Sequence, residues 1–303
     1  MKKLIKSTGN SKNRDPFITK YKDKYYHCFT EDCLTISISS SDTIEGLETA
    51  LPKVVFIPDK EEYSKELWAP ELHIIDDKCY IYVACDNGIN RNHRMYVLEN
   101  NSSNPMETYV MHGKISDETD KWAIDGNLIE FKGELYYFWS GWEGEKNIRQ
   151  NIYIAKMKDP FTLSSERVMI STPDYEWEKI GCTPEDIEGH PYINEGPFAF
   201  CYEDELYLAY SASGSWNIGY CIAFLKLVGD NPLDRKCWYK YDKPVLSNNE
   251  LVKGSGHPSI LCVGNKKIIF FHGWDIACEI IRWNTVDTWC AELIIEKDEI
   301  KIF

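Results

Sequence analysis

Five ionisable residues recur along this 303-residue chain, each opening a similar phrase beside or close to a Pro or Gly. They are Asp15 in RDPFITKYKDKYYHCF, Glu71 in APELHIIDDKCYIYVA, Asp125 in IDGNLIEFKGELYYFW, Glu195 in NEGPFAFCYEDELYLAY and His257 in GHPSILCVGNKKIIFF. Successive leaders stand 56, 54, 70 and 62 residues apart. Four carboxyls and one imidazole drawn together cannot all ionise freely, so at least one carboxyl pKa must rise. A protonated carboxyl facing an ionised one is the equipment of acid–base chemistry. Asp beside Pro or Gly is also ordinary turn chemistry. Five aligned leaders, two of them Glu, are hard to explain as turns.

Something must bring these leaders together. After each comes a short apolar run, a polar turn (KDK, DDK, KGE, YEDE, GNK) and a second apolar-aromatic run. Two such runs form a hairpin, which cannot bury its apolar face alone and stacks on neighbouring copies. Further strand-like runs lie between the copies at 94–100, 151–157 and 220–227. Each of these precedes a Pro turn: Asn104-Pro105-Met106, Asp159-Pro160-Phe161 and Asn231-Pro232-Leu233. About four strands per repeat, at a period near the ~40–50 residues of a propeller blade, predict an all-β, five-bladed β-propeller with four-stranded antiparallel blades. The repeat uses the whole chain, so residues 1–303 are expected to form a single domain. With each blade's first strand lining the channel, the leaders converge on one mouth.

The phrases RDPF, WAPELH, AIDGN, INEGPF and GSGH, in this order and spacing, resemble glycoside hydrolase family 43 over residues 13 to 273. The segments FWSGWEGEKNIRQNIYIAKMKDPFTL, DYEWEKIG and YSASGSWNIGYCIAFL are similar to its exo-acting α-L-arabinofuranosidases. The resemblance implies a five-bladed propeller that hydrolyses furanosides or xylosides with inversion. It also implies Asp15 as general base, Glu195 as general acid and Asp125 as the carboxylate that tunes and orients the acid. His257 matches an axial histidine, with water or a hydrated Ca2+ or Na+ as its candidate neighbour; no cofactor is otherwise expected. Basic residues contacting the acid or the substrate are implied after His272, and Arg282 is the candidate.

The chemistry suits this trio on its own terms. Inverting hydrolysis places an acid and a base ~6.5–9.5 Å apart, leaving room for water. Asp15 and Glu195, leading blades one and four, would stand nearly opposite. Asp125, one blade from Glu195, would hold the Glu195 proton in place. Glu71 is a candidate substrate contact or a structural partner for a backbone amide or for Trp68. Among 10 Trp, 19 Tyr and 12 Phe, Trp68, Trp142, Trp177 and Trp216 lie in loop-like text and are candidate sugar platforms. Trp139, Tyr136 and Tyr137 lie in a strand run and are expected in the core.

Net charge of −14 argues against nucleic acid or anionic membranes as partners, and no apolar run approaches the ~18 residues of a membrane span. MKKLIK is followed by polar STGNSKNRD, not by an apolar signal segment. The 11 Cys are odd in number and form no CxxC pair. Cys79, Cys85, Cys201, Cys221 and Cys262 fall within strand runs. Free buried thiols and a cytoplasmic enzyme acting on imported oligosaccharides are therefore expected. No HExxH, Gly-rich phosphate loop or GxSxG elbow is present. The alternatives are β-D-xyloside hydrolysis at the same site and a non-catalytic propeller that binds sugar or a protein. Fructan chemistry would call for an Asn-Asp-Pro setting, whereas Asp15 follows Asn13-Arg14.

Overall fold

Five two-residue turns set the register of this chain. The computed structural model describes residues 1–9, 13–297 and 299–303. After β1 (Lys2–Ile5), blade I comprises β2 (Phe17–Tyr21), β3 (Lys24–Glu31), β4 (Thr35–Ser41) and β5 (Lys53–Phe56). Blade II comprises β6 (Lys65–Ile75), β7 (Lys78–Asp86), β8 (Arg94–Glu99) and β9 (Val110–Ile115). Blade III has β10 (Ala123–Phe131), β11 (Glu134–Trp142) and β12 (Arg149–Asp159), with the short β13 (Thr162–Leu163) and β14 (Val168–Ser171) both pairing with β12. Blade IV comprises β15 (Tyr192–Tyr202), β16 (Glu205–Ala212), β17 (Cys221–Leu227) and β18 (Trp238–Lys240). Blade V comprises β19 (Val252–Val263), β20 (Lys266–Asp275), β21 (Asp287–Glu296) and β22 (Glu299–Ile302).

The turn opening each blade joins its first two strands antiparallel. Both turn residues have positive φ at Asp76-Asp77, Lys132-Gly133 and Glu203-Asp204, the pattern of type I′ turns that match strand twist. Each first strand touches the first strand of the next blade, and β19 touches β2, so the ring closes. β1 pairs antiparallel with β21, which makes the N-terminal strand part of the last blade. Blades III and IV also share a short parallel contact, Arg149 opposite Tyr192 and Gln150 opposite Ile193.

The core lies between blades, because each sheet is apolar on both faces. Tyr82 and Val97 of blade II pack with Leu128, Tyr137 and Trp139 of blade III. Phe138 and Ile154 of blade III pack with Leu208, Tyr210 and Leu225 of blade IV. Leu4, Ile5 and Phe270 meet Ile18 and Leu47 where blade V abuts blade I. Tyr136, Tyr137 and Trp139 are core residues, as their strand setting predicts. All eleven cysteines are unpaired. Cys79, Cys85 and Cys221 are buried, but Cys201 and Cys262 are exposed near the far ends of β15 and β19.

The same backbone irregularity recurs within the first strand of blades II to V and, in blade I, two residues ahead of it. The chain adopts a left-handed conformation at Asp15, Ala69, Asp125, Gly196 and His257, with φ between 45° and 56°. In β6, β10, β15 and β19 the ladder slips at this point, as in a β-bulge. These five residues are the equivalent positions of the five blades. Glu195 therefore stands one residue before its blade's bulge, and Glu71 stands two residues after.

Candidate active site

A bulge breaks the in–out alternation of a strand, so two consecutive residues can face the same mouth. Arg14, Trp68, Ile124 and Glu195 come from the position just before the bulge, and Asp15, Asp125 and His257 from the bulge itself. All seven line one cavity of about 450 Å³. The sequence-predicted trio and the histidine are thus brought together. Two residues further on, Phe17, Glu71, Asn127, Phe198 and Ser259 form the layer beneath. There Asn127 donates to Glu71 Oε2 (2.7 Å) and accepts from the Ala199 N–H (2.8 Å). Ser259 Oγ donates to the Pro16 carbonyl (2.6 Å). Glu71 also meets His73 Nε2 (2.8 Å). It is a floor residue tied to its neighbours and does not line the cavity.

The three carboxyls have different surroundings. Burial works against an ionised Asp15, but His257, His272 and Arg14 outweigh it and hold Asp15 well below the usual carboxylate range. His257 Nδ1 lies 3.2 Å from Asp15 Oδ1. His272 Nδ1 accepts the Asp15 backbone N–H at 3.1 Å. The same nitrogen lies 3.2 Å from Asp15 Oδ1, and burial outweighs that carboxylate to keep His272 below its usual pKa. His257 behaves oppositely: burial disfavours its charge, yet Asp15, Asp125 and Glu195 together raise its pKa. Its backbone N–H donates to Ser211 Oγ (2.6 Å), which fixes the strand behind it.

Asp125 is pushed up to about 6 by burial, with a smaller push from the charge of Asp15, against the opposing His257 charge and the Gly196 N–H that donates to its Oδ2 (2.9 Å). Glu195 is pushed up to about 8, first by burial and then by the charge of Asp125. The Tyr220 hydroxyl donates to Glu195 Oε1 at 2.9 Å. The Asp15 side chain keeps 26% of its surface exposed, whereas Asp125 and Glu195 are buried.

Two glycines make this packing feasible. A Cβ on Gly196 (φ +56°) would lie 3.2 Å from His257 Nδ1, between the two carboxyl-bearing strands and the imidazole. On Gly256 it would fall 1.8 Å from Tyr220 Cε1, so a side chain there would displace the tyrosine that reaches Glu195.

Behind Glu195 lies a buried ion pair. Glu178, fully buried, meets Lys240 Nζ at 2.7 Å and accepts from Asn194 Nδ2 (2.9 Å) and the Tyr210 hydroxyl (3.0 Å). The backbone N–H groups of Asp174 and Tyr175 donate to its other oxygen. Asn194 immediately precedes Glu195, so this network anchors the start of β15. Removing one partner of a buried pair typically costs ~3–5 kcal/mol, because the other charge is left uncompensated. Glu178→Ala is expected to lower stability by about that amount, measured as a shift in the urea unfolding midpoint.

The aromatic candidates divide. Trp68 and Trp216 line the cavity. Trp68 stacks on His93 (4.0 Å, 27°), and the Trp216 Nε1–H donates to the Gly181 carbonyl (3.1 Å). Trp142 is buried beneath Trp122 (4.8 Å, 10°), which itself lines the cavity. Trp177 stacks on Tyr175 and donates to the Asp242 carbonyl, away from the cavity. Trp122 and Trp283 line the cavity without having been singled out in sequence. Trp122 could have been found from its place in KWAIDGN, three residues before Asp125; Trp283 lies in no motif. Arg282 is exposed and away from the cavity, with its carbonyl accepting from Trp274. The cation on the cavity wall is Arg14, beside Asp15.

His257 Nδ1 is engaged by Asp15 Oδ1, so that nitrogen is not offered to a metal directly. Among the described residues no group of three or more His, Cys, Asp or Glu is arranged to hold an ion.

The sequence model of Glycosyl hydrolases family 43 matches residues 6–292. An extracellular exo-α-(1→5)-L-arabinofuranosidase of Streptomyces chartreusis is 29% identical over 268 residues, covering 85% of this chain and 79% of that protein. The protein of the same name from Streptomyces avermitilis is 29% identical over 272 residues, covering 86% of this chain; the chain spans 54% of that relative's length. Among solved structures, the α-L-arabinofuranosidase from Lactobacillus brevis superposes with a TM-score of 0.85 at 27% identity, covering 98% of this chain and 95% of that one. The expected cytoplasmic location is corrected by these relatives. Both Streptomyces proteins are named extracellular, which counts against it. The unpaired thiols were weak grounds for a compartment, since buried thiols are inert packing residues wherever they occur.

Proposed function

This chain belongs to glycoside hydrolase family 43, and we propose that it releases terminal α-L-arabinofuranose from arabinan- or arabinoxylan-derived oligosaccharides with inversion of configuration. The observation that supports the mechanism is that Asp15, Asp125 and Glu195 line one cavity, with basic neighbours lowering the pKa of Asp15 while burial and Asp125 raise that of Glu195. The names of the Streptomyces and Lactobacillus relatives support the sugar.

In this mechanism Asp15 takes a proton from a water on the far side of the anomeric carbon. The water oxygen attacks that carbon while Glu195 passes its proton to the departing glycosidic oxygen. The transition state has oxocarbenium character, as in other hydrolyses of this kind. Asp125 contributes charge and position. Its carboxylate disfavours ionisation of Glu195, and its hydrogen bond from Gly196 ties the two strands together. His257 holds Asp15 in place and favours its ionised form.

The test is a substrate screen of nitrophenyl α-L-arabinofuranoside, nitrophenyl β-D-xyloside and arabino-oligosaccharides, with products sized. Turnover of the arabinosides with arabinose as the product is expected. Faster turnover of the xyloside would reassign the sugar. Binding without turnover on any of them would make the propeller a sugar-binding module.

A further inference from the structure

Arg14 is the one lysine or arginine on the cavity wall among the described residues. It occupies the position before the bulge in blade I, the counterpart of Glu195 in blade IV. Among the described residues no carboxylate oxygen lies within ion-pair contact of it, although its charge helps keep Asp15 ionised, and its side chain makes one hydrogen bond, from Nη2 to the Cys33 thiol at 2.9 Å. Sulfur is a weak acceptor, and a guanidinium has five N–H donors. Its Nε is buried with no acceptor. An arginine that lines a cavity with most of its donors unmatched by the protein is explained if a ligand in that cavity supplies acceptors to the nitrogens that face it. The guanidinium is also held in place. It lies 5.5 Å over the Trp283 ring, which stands edge-on to His272 (5.8 Å, 89°) and packs against Trp274.

The surroundings narrow the ligand class. Asp15, Asp125 and Glu66 line the same cavity, so an anionic ligand would meet like charges. Neutral hydroxyl oxygens would not, and two neighbouring ones match the fork of a guanidinium. We propose that Arg14 is a substrate-binding residue that donates to two adjacent hydroxyl oxygens of the terminal sugar and so selects for a sugar carrying both. This rests on the pentofuranoside hydrolysis proposed above.

The experiment compares nitrophenyl α-L-arabinofuranoside with its 2-deoxy and 3-deoxy analogues on the wild type, Arg14→Met and Arg14→Lys. Arg14→Met is expected to lower kcat/KM on the parent sugar roughly 10- to 100-fold, the range for charge-assisted hydrogen bonds. On the analogue lacking a partner hydroxyl the same substitution should cost little, because interacting partners are not additive. Arg14→Lys keeps the charge beside Asp15, so it should keep the acidic limb of the pH profile while losing discrimination against the deoxy sugars. An equal loss on all three sugars in both variants would overturn the inference, leaving Arg14 to act through Asp15 or the fold. Wild-type protein that turns over no arabinofuranoside at all would instead overturn the proposed function.

Discussion

Asp15→Asn is expected to lower kcat/KM by roughly 10²–10⁴-fold or more on every substrate, whatever its leaving group. Water must be deprotonated in each turnover, and an amide cannot accept that proton. The substitution is nearly isosteric, so the backbone N–H to His272 and the cavity walls should survive. Its own loss is the partner of His257, whose pKa is raised in part by the Asp15 charge and should fall when that charge is removed. Steady-state kinetics on nitrophenyl and natural arabinosides, beside a thermal melt, separate lost chemistry from lost fold. Near-wild-type activity in a folded Asp15→Asn protein would place the base elsewhere.

Glu195→Gln is expected to be as severe on arabino-oligosaccharides, by roughly 10²–10⁴-fold, because an alkoxide leaving group needs protonation. The loss should shrink as the leaving group becomes more acidic, since a nitrophenolate departs with little assistance. Asp15→Asn should show no such trend. The pH profile offers a second view of the same group. Glu195 acts while protonated, so activity should fall as pH rises through its elevated pKa. Asp125→Asn removes the neighbouring negative charge that raises it and should move this alkaline limb to lower pH. An unmoved limb in Asp125→Asn would separate Asp125 from the acid.

Much of this arrangement was legible in the residues because hairpins record themselves locally. The turns Lys22-Asp23, Asp76-Asp77, Lys132-Gly133, Glu203-Asp204 and Gly264-Asn265 each join two strands where the text reads polar between apolar runs. Five copies then imply a ring. The one-residue register at the bulges was not legible from the ionisable residues. Glu71 and Glu195 look like counterparts of Asp15, yet Ala69 and Gly196 hold the equivalent backbone position. A better guide was present: each bulge residue is followed by Pro or Gly, as Asp15-Pro16, Ala69-Pro70, Asp125-Gly126, Gly196-Pro197 and His257-Pro258.

The aromatic walls were harder to read. Trp142 and Trp122 stack face to face, and which indole faces the cavity depends on packing between segments far apart in sequence. The same holds for Arg14 and Trp283, 269 residues apart yet brought together where blade V abuts blade I. Arg282, one residue from Trp283 at the start of the same 3-10 turn, is exposed and off the cavity wall.

The configuration of the first-formed sugar tests the central claim most directly. Proton NMR during rapid hydrolysis of an α-L-arabinofuranoside, before mutarotation, is expected to show β-L-arabinofuranose first, because water activated by Asp15 attacks opposite the leaving group protonated by Glu195. Appearance of the α-anomer first would mean a covalent intermediate on one of these carboxylates, and would contradict the assignment of Asp15 as a base.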